Sequence, residues 1–404
     1  MMSSHIPDVV VHVFPLIFLC GLYLVSSLMV NSGHAEAFAQ SLDHNPYPVL
    51  PDGKTPLRTV YTGFSALDSY LANLQLIFIP LVDGSCPELS LLGWHWAGLL
   101  LALSSVVLIE NLRSRKLTGL VTFSLWGLCV QYCGYFTTMP LYCYFYLLRS
   151  SHTASAAVYS EHDILAVRSV PLSVLLGFVV PSVVMCLPQI HSGHSRQLAV
   201  AFWQNFPLWI ALAQIPAMWR ASRHTRQSDV AILAQSKKYS STIKQVYKIV
   251  GVASLLVHVS GLLPIVLAVV WPEGLVSALS RLGLNERSLQ SLRPHAFFLP
   301  ARWDSQVQIN NMAEGAMNFL RYDYIVGTAA ALLWAVLIQH RQSQKNLRSH
   351  RVASSKNKSY TGRGVKQAFK ICASSVACGP GFTILDLMSQ REDSLLDSSK
   401  QRQG

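Results

Sequence analysis

The chain predicts an all-α, multi-pass bundle of about eight or nine membrane-spanning helices, and three observations carry that prediction. Of 404 residues, 51% are hydrophobic and only 13% are charged, about half the charged share of a soluble domain. The apolar residues come in long runs. The Lys and Arg residues behind the net charge of +12 cluster in the loops beside those runs, where anionic headgroups and topology account for them. The expected partner is therefore the lipid bilayer and not nucleic acid. Cys20, Cys129, Cys133, Cys143 and Cys186 lie inside apolar runs, where a thiol behaves as a small hydrophobe, so no disulfide framework or redox compartment follows. There is no internal repeat and no soluble domain, and residues 1–404 read as one integral membrane domain.

Taken in order, Val9 to Val30 is the first span; it has no preceding Lys or Arg and is too long for a signal peptide, despite the cleavage-like Ala35-Glu36-Ala37. Thr59 to Val82 contains Asp68 and reads as a second span or an amphipathic interfacial helix. Leu91 to Glu110 is the third, entered past Trp94 and Trp96. Leu117 to Leu148 is too long for one straight crossing, and Pro140 is expected to kink or end it. Further spans are expected at Val170 to Leu187, Leu198 to Trp219 and Tyr247 to Trp271. Gln204, Asn205, Gln214 and His258 inside them are suited to gluing helices together. Residues 272–321 form a non-cytosolic connection whose Phe297-Phe298-Leu299 patch is expected to fold back on the membrane surface. Met317 to Gln339 is the next span; a basic cytosolic loop at 341–368 and a weaker ninth candidate, Phe369 to Met388, follow it.

Simple alternation through nine spans puts the basic stretches 220–238 and 341–366 on one side, which the positive-inside tendency makes cytosolic. It also strands Arg113, Arg115 and Lys116 on the other side, for want of an apolar run between residues 117 and 218 to supply an extra crossing. On this scheme Glu110 and Asp323 lie at the same, non-cytosolic level and share one pocket.

Asp323 stands at the mouth of an uncharged stretch from Tyr324 to Ile338. At about 100° per residue, Asp323, Gly327, Ala330 and Trp334 fall on one helix face, a stripe suited to the wall of a pocket. The plainer reading is a helix-starting Asp flanked by interfacial Tyr322 and Tyr324. Other membrane chemistries lack their residues. There is no Asp-Asp pair and no DxxxD on an apolar segment to hold Mg²⁺ against a diphosphate. His191 and His194 stand without a third ligand for iron. No P-loop, GxGxxG or local Ser/His signature occurs. The expectation is no metal and no cofactor.

Isolated carboxylates among aromatic, apolar helices suit protonation of an apolar polyene. A carboxylic acid kept from water holds its proton near neutrality and can deliver it to an epoxide or olefin. The resulting cation is stabilised by aromatic faces, for which Trp94, Trp96, Tyr322, Tyr324 and Trp334 are candidates.

The stretches LDSYLANLQLIFIPLVDG (67–84), VVLIENLRSRK (106–116), FLRYDYIVGTAAALLWA (319–335) and CGPGFTILDLMSQRE (378–392) resemble segments of the larger fungal membrane-bound terpene cyclases of meroterpenoid pathways. The resemblance implies cyclisation of a farnesyl-type chain on an aromatic or quinone-like head, with Asp323 and Glu110 as the leading acids. The endoplasmic reticulum membrane is the expected location. The competing class is a transporter of the same kind of metabolite, which intramembrane acids also suit; internal repeats and broken helix pairs, common in transporters, are not evident in the sequence.

Overall fold

The structure, a computed structural model, describes residues 8–42, 49–50, 54–114, 116–150, 161–187, 193–221, 229–281, 291–304, 306, 308–351 and 361–401. Arg115 and His191 lie outside the described residues. Among those described, the regular elements are all helical, and the one β feature is an isolated bridge between Val49 and Pro56. In chain order the α-helices are α1 (Val13–Asn31), α2 (His34–Leu42), α3 (Ser65–Val82), α4 (Pro87–Leu112), α5 (Leu117–Cys133) and α6 (Tyr135–Ser150). Next come α7 (Glu161–Arg168), α8 (Val170–Val174), α9 (Val180–Cys186), α10 (Gly193–Trp203), α11 (Phe206–Ala221) and α12 (Asp229–Val270). The last are α13 (Pro272–Arg281), α14 (Pro294–Phe298), α15 (Met312–Arg351), α16 (Thr361–Ala377) and α17 (Pro380–Gln401).

Among the described residues, six helical stretches are long and apolar enough to cross a membrane, or seven if the bent pair α10–α11 counts as one. By length and composition alone this is slightly fewer than the eight or nine expected, and the shorter apolar α5 stands outside that count. Two candidate stretches are each broken by a glycine. Residues 117–148 form two helices that meet at Gly134, whose φ of +86° ends α5, while Pro140 sits inside α6. The ninth candidate is the end of α16, a turn at Gly379 (φ +88°) and the start of α17, with Pro380 in the first turn of the new helix. A left-handed φ costs a side chain strain that glycine avoids, so both breaks sit where a helix must stop. The bent pair turns by 60° around Gln204 and Asn205, a broken helix pair that the sequence does not reveal. The two expected loops are partly helical, since residues 272–321 contain α13, α14 and the start of α15, and α15 continues to Arg351. Phe297 is fully buried and its ring meets His95, so the 297–299 patch turns into the bundle and only Leu299 stays exposed.

Helices α4, α6 and α15 run in the same direction through the core. At their starts Trp96 contacts Tyr135 and Tyr324; towards their far ends Tyr146 contacts both Glu110 and Trp334. Helix α1 runs against them, with His12 beside Tyr144 and Gly21 beside Phe136 and Val326. Helix α12 also runs against them, from Ser240 at Glu392 through Ser254 at Gly98 to Ser260 at Trp94. The molecule thus has an Asp323 end and a Glu110 end. Ten residues of α6 separate Phe136, at Asp323, from Tyr146, at Glu110, a rise of about 15 Å. The single shared level expected for the two acids is corrected by this geometry. Because residues 117–148 supply two antiparallel helices, the Arg113 turn lies at the same end as the start of α12 and Arg341, which bonds the Leu147 carbonyl.

Candidate active site

The Asp323 end is built around the start of α6. That helix begins directly after Gly134, so its first N–H groups have no carbonyl one turn earlier to bond. Asp323 takes one of them: its Oδ1 accepts the Phe136 N–H at 2.6 Å, with the Tyr135 N–H beside it. Gly134 fits this turn through its φ of +86° and its missing side chain, since a Cβ there would lie 2.8 Å from the Phe136 ring. Asp323 is 6% exposed. At the same end of the bundle Trp96 meets Tyr135 and Tyr324 edge-to-face, each at 5.3 Å between ring centroids.

The stripe expected from spacing is observed, and it is a helix–helix seam against α6 and not an open wall. Asp323 meets Phe136, Gly327 meets Tyr135, the Ala330 carbonyl meets the Cys143 thiol at 3.8 Å, and Trp334 meets Tyr142 and Tyr146. A Cβ on Gly327 would lie 2.1 Å from the Tyr135 ring, so the small residue is what lets the two helices approach. Trp96 and Trp334 are buried with indole N–H groups that have no partner among the described residues. Such buried donors are uncommon in folded proteins.

The Glu110 end is an ionic cluster. Oε1 of Glu110 accepts from Arg113 Nε at 2.9 Å and Arg391 Nη1 at 2.7 Å, and Oε2 accepts from the Tyr146 hydroxyl. Arg113 also pairs with Glu392, which receives a hydroxyl from Ser240. The buried charge is met by two guanidinium groups and a phenol, the arrangement such a group requires in a low-dielectric interior.

An apolar cavity of about 60 Å³ lies between the two ends, on the side of α6 facing α4 and α5. Leu103, Phe123, Trp126, Tyr135, Tyr142 and Phe206 are among its walls. Tyr135 and Tyr142 stand in both this lining and the α6–α15 seam.

Of the sequence candidates, the structure brings Asp323, Trp96 and Tyr324 to one end, and Glu110 and Trp334 to the other. Trp94 turns away: it is 48% exposed and bonds Ser260 Oγ at 2.9 Å, because two positions along a helix rotate a side chain to the opposite face. Tyr322 also faces elsewhere, giving its hydroxyl to the Ala301 carbonyl and packing with Val25 and Leu28 of α1. Sequence reasoning missed Tyr135, Tyr142, Tyr146, Arg113, Arg391 and Glu392 as site residues. Tyr142 and Tyr146 were signalled by the aromatic run in 141–148, Arg391 and Glu392 by the charged pair closing the 378–392 motif, and Arg113 by its place in the 106–116 motif; Tyr135 had no such signal.

Fold and site together define a polytopic, all-helical membrane protein with a buried carboxyl and an aromatic cluster at one end and an ionic clasp at the other. The chain belongs to the CtvD domain family, which it matches over residues 10–396. It is 28% identical to "Terpene cyclase ctvD" of Aspergillus terreus over 81% of this chain and 86% of that protein. It is 30% identical to "Terpene cyclase penA" of Penicillium crustosum over 70% of this chain and 72% of that one. With "Terpene cyclase ascI" of Acremonium egyptiacum it shares 27% identity over 74% and 72% of the two chains. No solved structure matches.

Proposed function

We propose that this chain is a membrane-bound terpene cyclase that protonates and cyclises the farnesyl-type chain of a meroterpenoid. Its substrate carries that chain, ending in an epoxide or olefin, on an aromatic or quinone-like head. One observation carries the reading: Asp323 is buried with one oxygen held by the Phe136 N–H, at the end of the bundle where Trp96 meets Tyr135 and Tyr324, in a chain whose relatives are named terpene cyclases. A carboxylic acid bound through Oδ1 keeps its proton on Oδ2. That proton passes to the epoxide oxygen or terminal olefin carbon, π-bonds close the rings in turn, and the final cation loses a proton, so the product is an isomer of the substrate. The start of α6 stabilises the carboxylate left on Asp323, since helix N-termini favour negative charge. The faces of the aromatic rings stabilise the cation without supplying a nucleophile.

Glu110 belongs to the clasp in this reading, because both of its oxygens are engaged by Arg113, Arg391 and Tyr146. The chemistry needs no metal ion, and the endoplasmic reticulum is the proposed membrane. Microsomes containing only this protein, incubated with a prenylated epoxide or olefin, test the proposal. A cyclised isomer supports it; unchanged substrate with altered vesicle uptake supports a transporter instead.

A further inference from the structure

We infer that the apolar cavity between α4, α5 and α6 is the seat of the prenyl chain, entered sideways from the bilayer past α5. This inference rests on the cyclase reading and goes beyond it by naming where the chain lies and which residues limit its length. The cavity is lined over residues 100–107 of α4, 123–130 of α5 and 135–142 of α6. Each stretch rises about 10 Å, so the cavity is an elongated slot running parallel to the helices. Apart from the tyrosines, its only polar side chains are Ser104 and Thr138, and no charged group enters it. A hydrocarbon chain suits such a lining and a charged or polar ligand does not.

Its position links it to the acid. Tyr135 provides an N–H beside Asp323 and a ring in the cavity wall, so one residue joins the proton source to the slot. Most of the lining is buried, and the half-exposed members are Val107 of α4 and Trp126, Gly127 and Val130 of α5. Gly127 packs against Pro207, where a Cβ would lie 2.4 Å from the proline ring. Phe206 and Pro207 of α11 close the slot at Gly127, so its open side is at the half-exposed Val107, Trp126 and Val130, where an apolar chain enters from lipid without crossing water. At about 60 Å³ the slot is smaller than the roughly 150 Å³ apolar cavity that admits benzene. A bound chain must push Trp126 and the α5 side outward, which the lipid-facing position permits.

The test uses microsomes containing the full chain and a farnesylated phenol bearing a diazirine on its terminal isoprene unit. After irradiation, label is expected in peptides spanning 100–107, 123–130 or 135–142, displaced by unlabelled farnesylated phenol and not by palmitate. Leu103→Trp, which fills the slot, and Val130→Phe, which narrows its mouth, should each cut labelling and turnover at least about tenfold. Both should retain normal accumulation and a monodisperse profile in detergent, with less loss on a geranyl substrate. Asp323→Asn should keep the labelling while losing turnover. Label confined to other helices, equal displacement by palmitate, or full farnesyl turnover by both filling variants overturns the inference. A wild-type protein that labels in the slot but forms no cyclic product overturns the cyclase reading and leaves the chain-binding slot standing.

Discussion

At the scale of single residues, the two buried acids are held in different ways, and their substitutions should fail differently. Asp323→Asn keeps an acceptor oxygen for the Phe136 N–H and removes the transferable proton. Turnover should fall by about 10²-fold or more, while protein level and detergent melting temperature stay near wild type. Wild-type product formation by this variant would remove Asp323 from the mechanism. Glu110→Gln instead leaves Arg113 and Arg391 facing a neutral amide. Removing one partner of a buried ion pair costs about 3–5 kcal/mol, so its mark should be lost accumulation and a lowered melting temperature. Normal stability with lost turnover would make Glu110 a catalytic acid after all. Asp83 is the contrast, since its Oδ1 accepts the Ser85 N–H and hydroxyl in the turn at Gly84, and Asp83→Asn should cyclise normally.

At the scale of elements, the α6–α15 seam depends on Gly327. Gly327→Ala forces a Cβ into the Tyr135 ring, an overpacking that costs about 1–3 kcal/mol, and it should lower the detergent melting temperature; an unchanged value would show that the seam opens freely. How far the elements are legible in the sequence follows from the same physics. The Asp323 stripe is legible because the α-helical period fixes which side chains share a face. Its partner is not, because nothing in local spacing says that Gly134 ends one helix and frees N–H groups for an acid 187 residues later in the chain. Residues 117–148 look like one run because composition records hydrophobicity and not direction, so the reversal at Gly134 is invisible. That missing reversal displaces the Arg113 turn and with it Glu110. Trp94 and Trp96 both look like site residues by proximity, although two positions on a helix point opposite ways. Arg391 and Glu392 lie in the 378–392 motif, but the Arg391 partnership with Glu110 spans 281 positions and has no local trace.

At the scale of the whole molecule, the described basic groups Arg113, Lys244, Arg341 and Arg391 gather at the Glu110 end, which the positive-inside tendency makes cytosolic. Glycosylation or protease tags placed at 113–116, 222–228 and 352–360 should all report the cytosolic side, and a tag at 299–311 the opposite one. Disagreement among the first three tags would overturn the assignment. The clasp also has a consequence in time. Chains are made from the N-terminus onward, and domains organise as they emerge, so Glu110 and Arg113 enter the membrane long before Arg391 and Glu392 exist. Until translation nears its end, α4 carries charges whose late partners have not been synthesised, and the nascent bundle resembles a protein with an unsatisfied intramembrane ion, which costs it stability. A chain stopped after residue 378 would retain the entire Asp323 end yet remain in that unfinished condition. It should be degraded several-fold faster than the full chain in a pulse-chase experiment, and co-expressed residues 361–404 should slow that loss; equal half-lives would mean that the clasp is not what completes assembly.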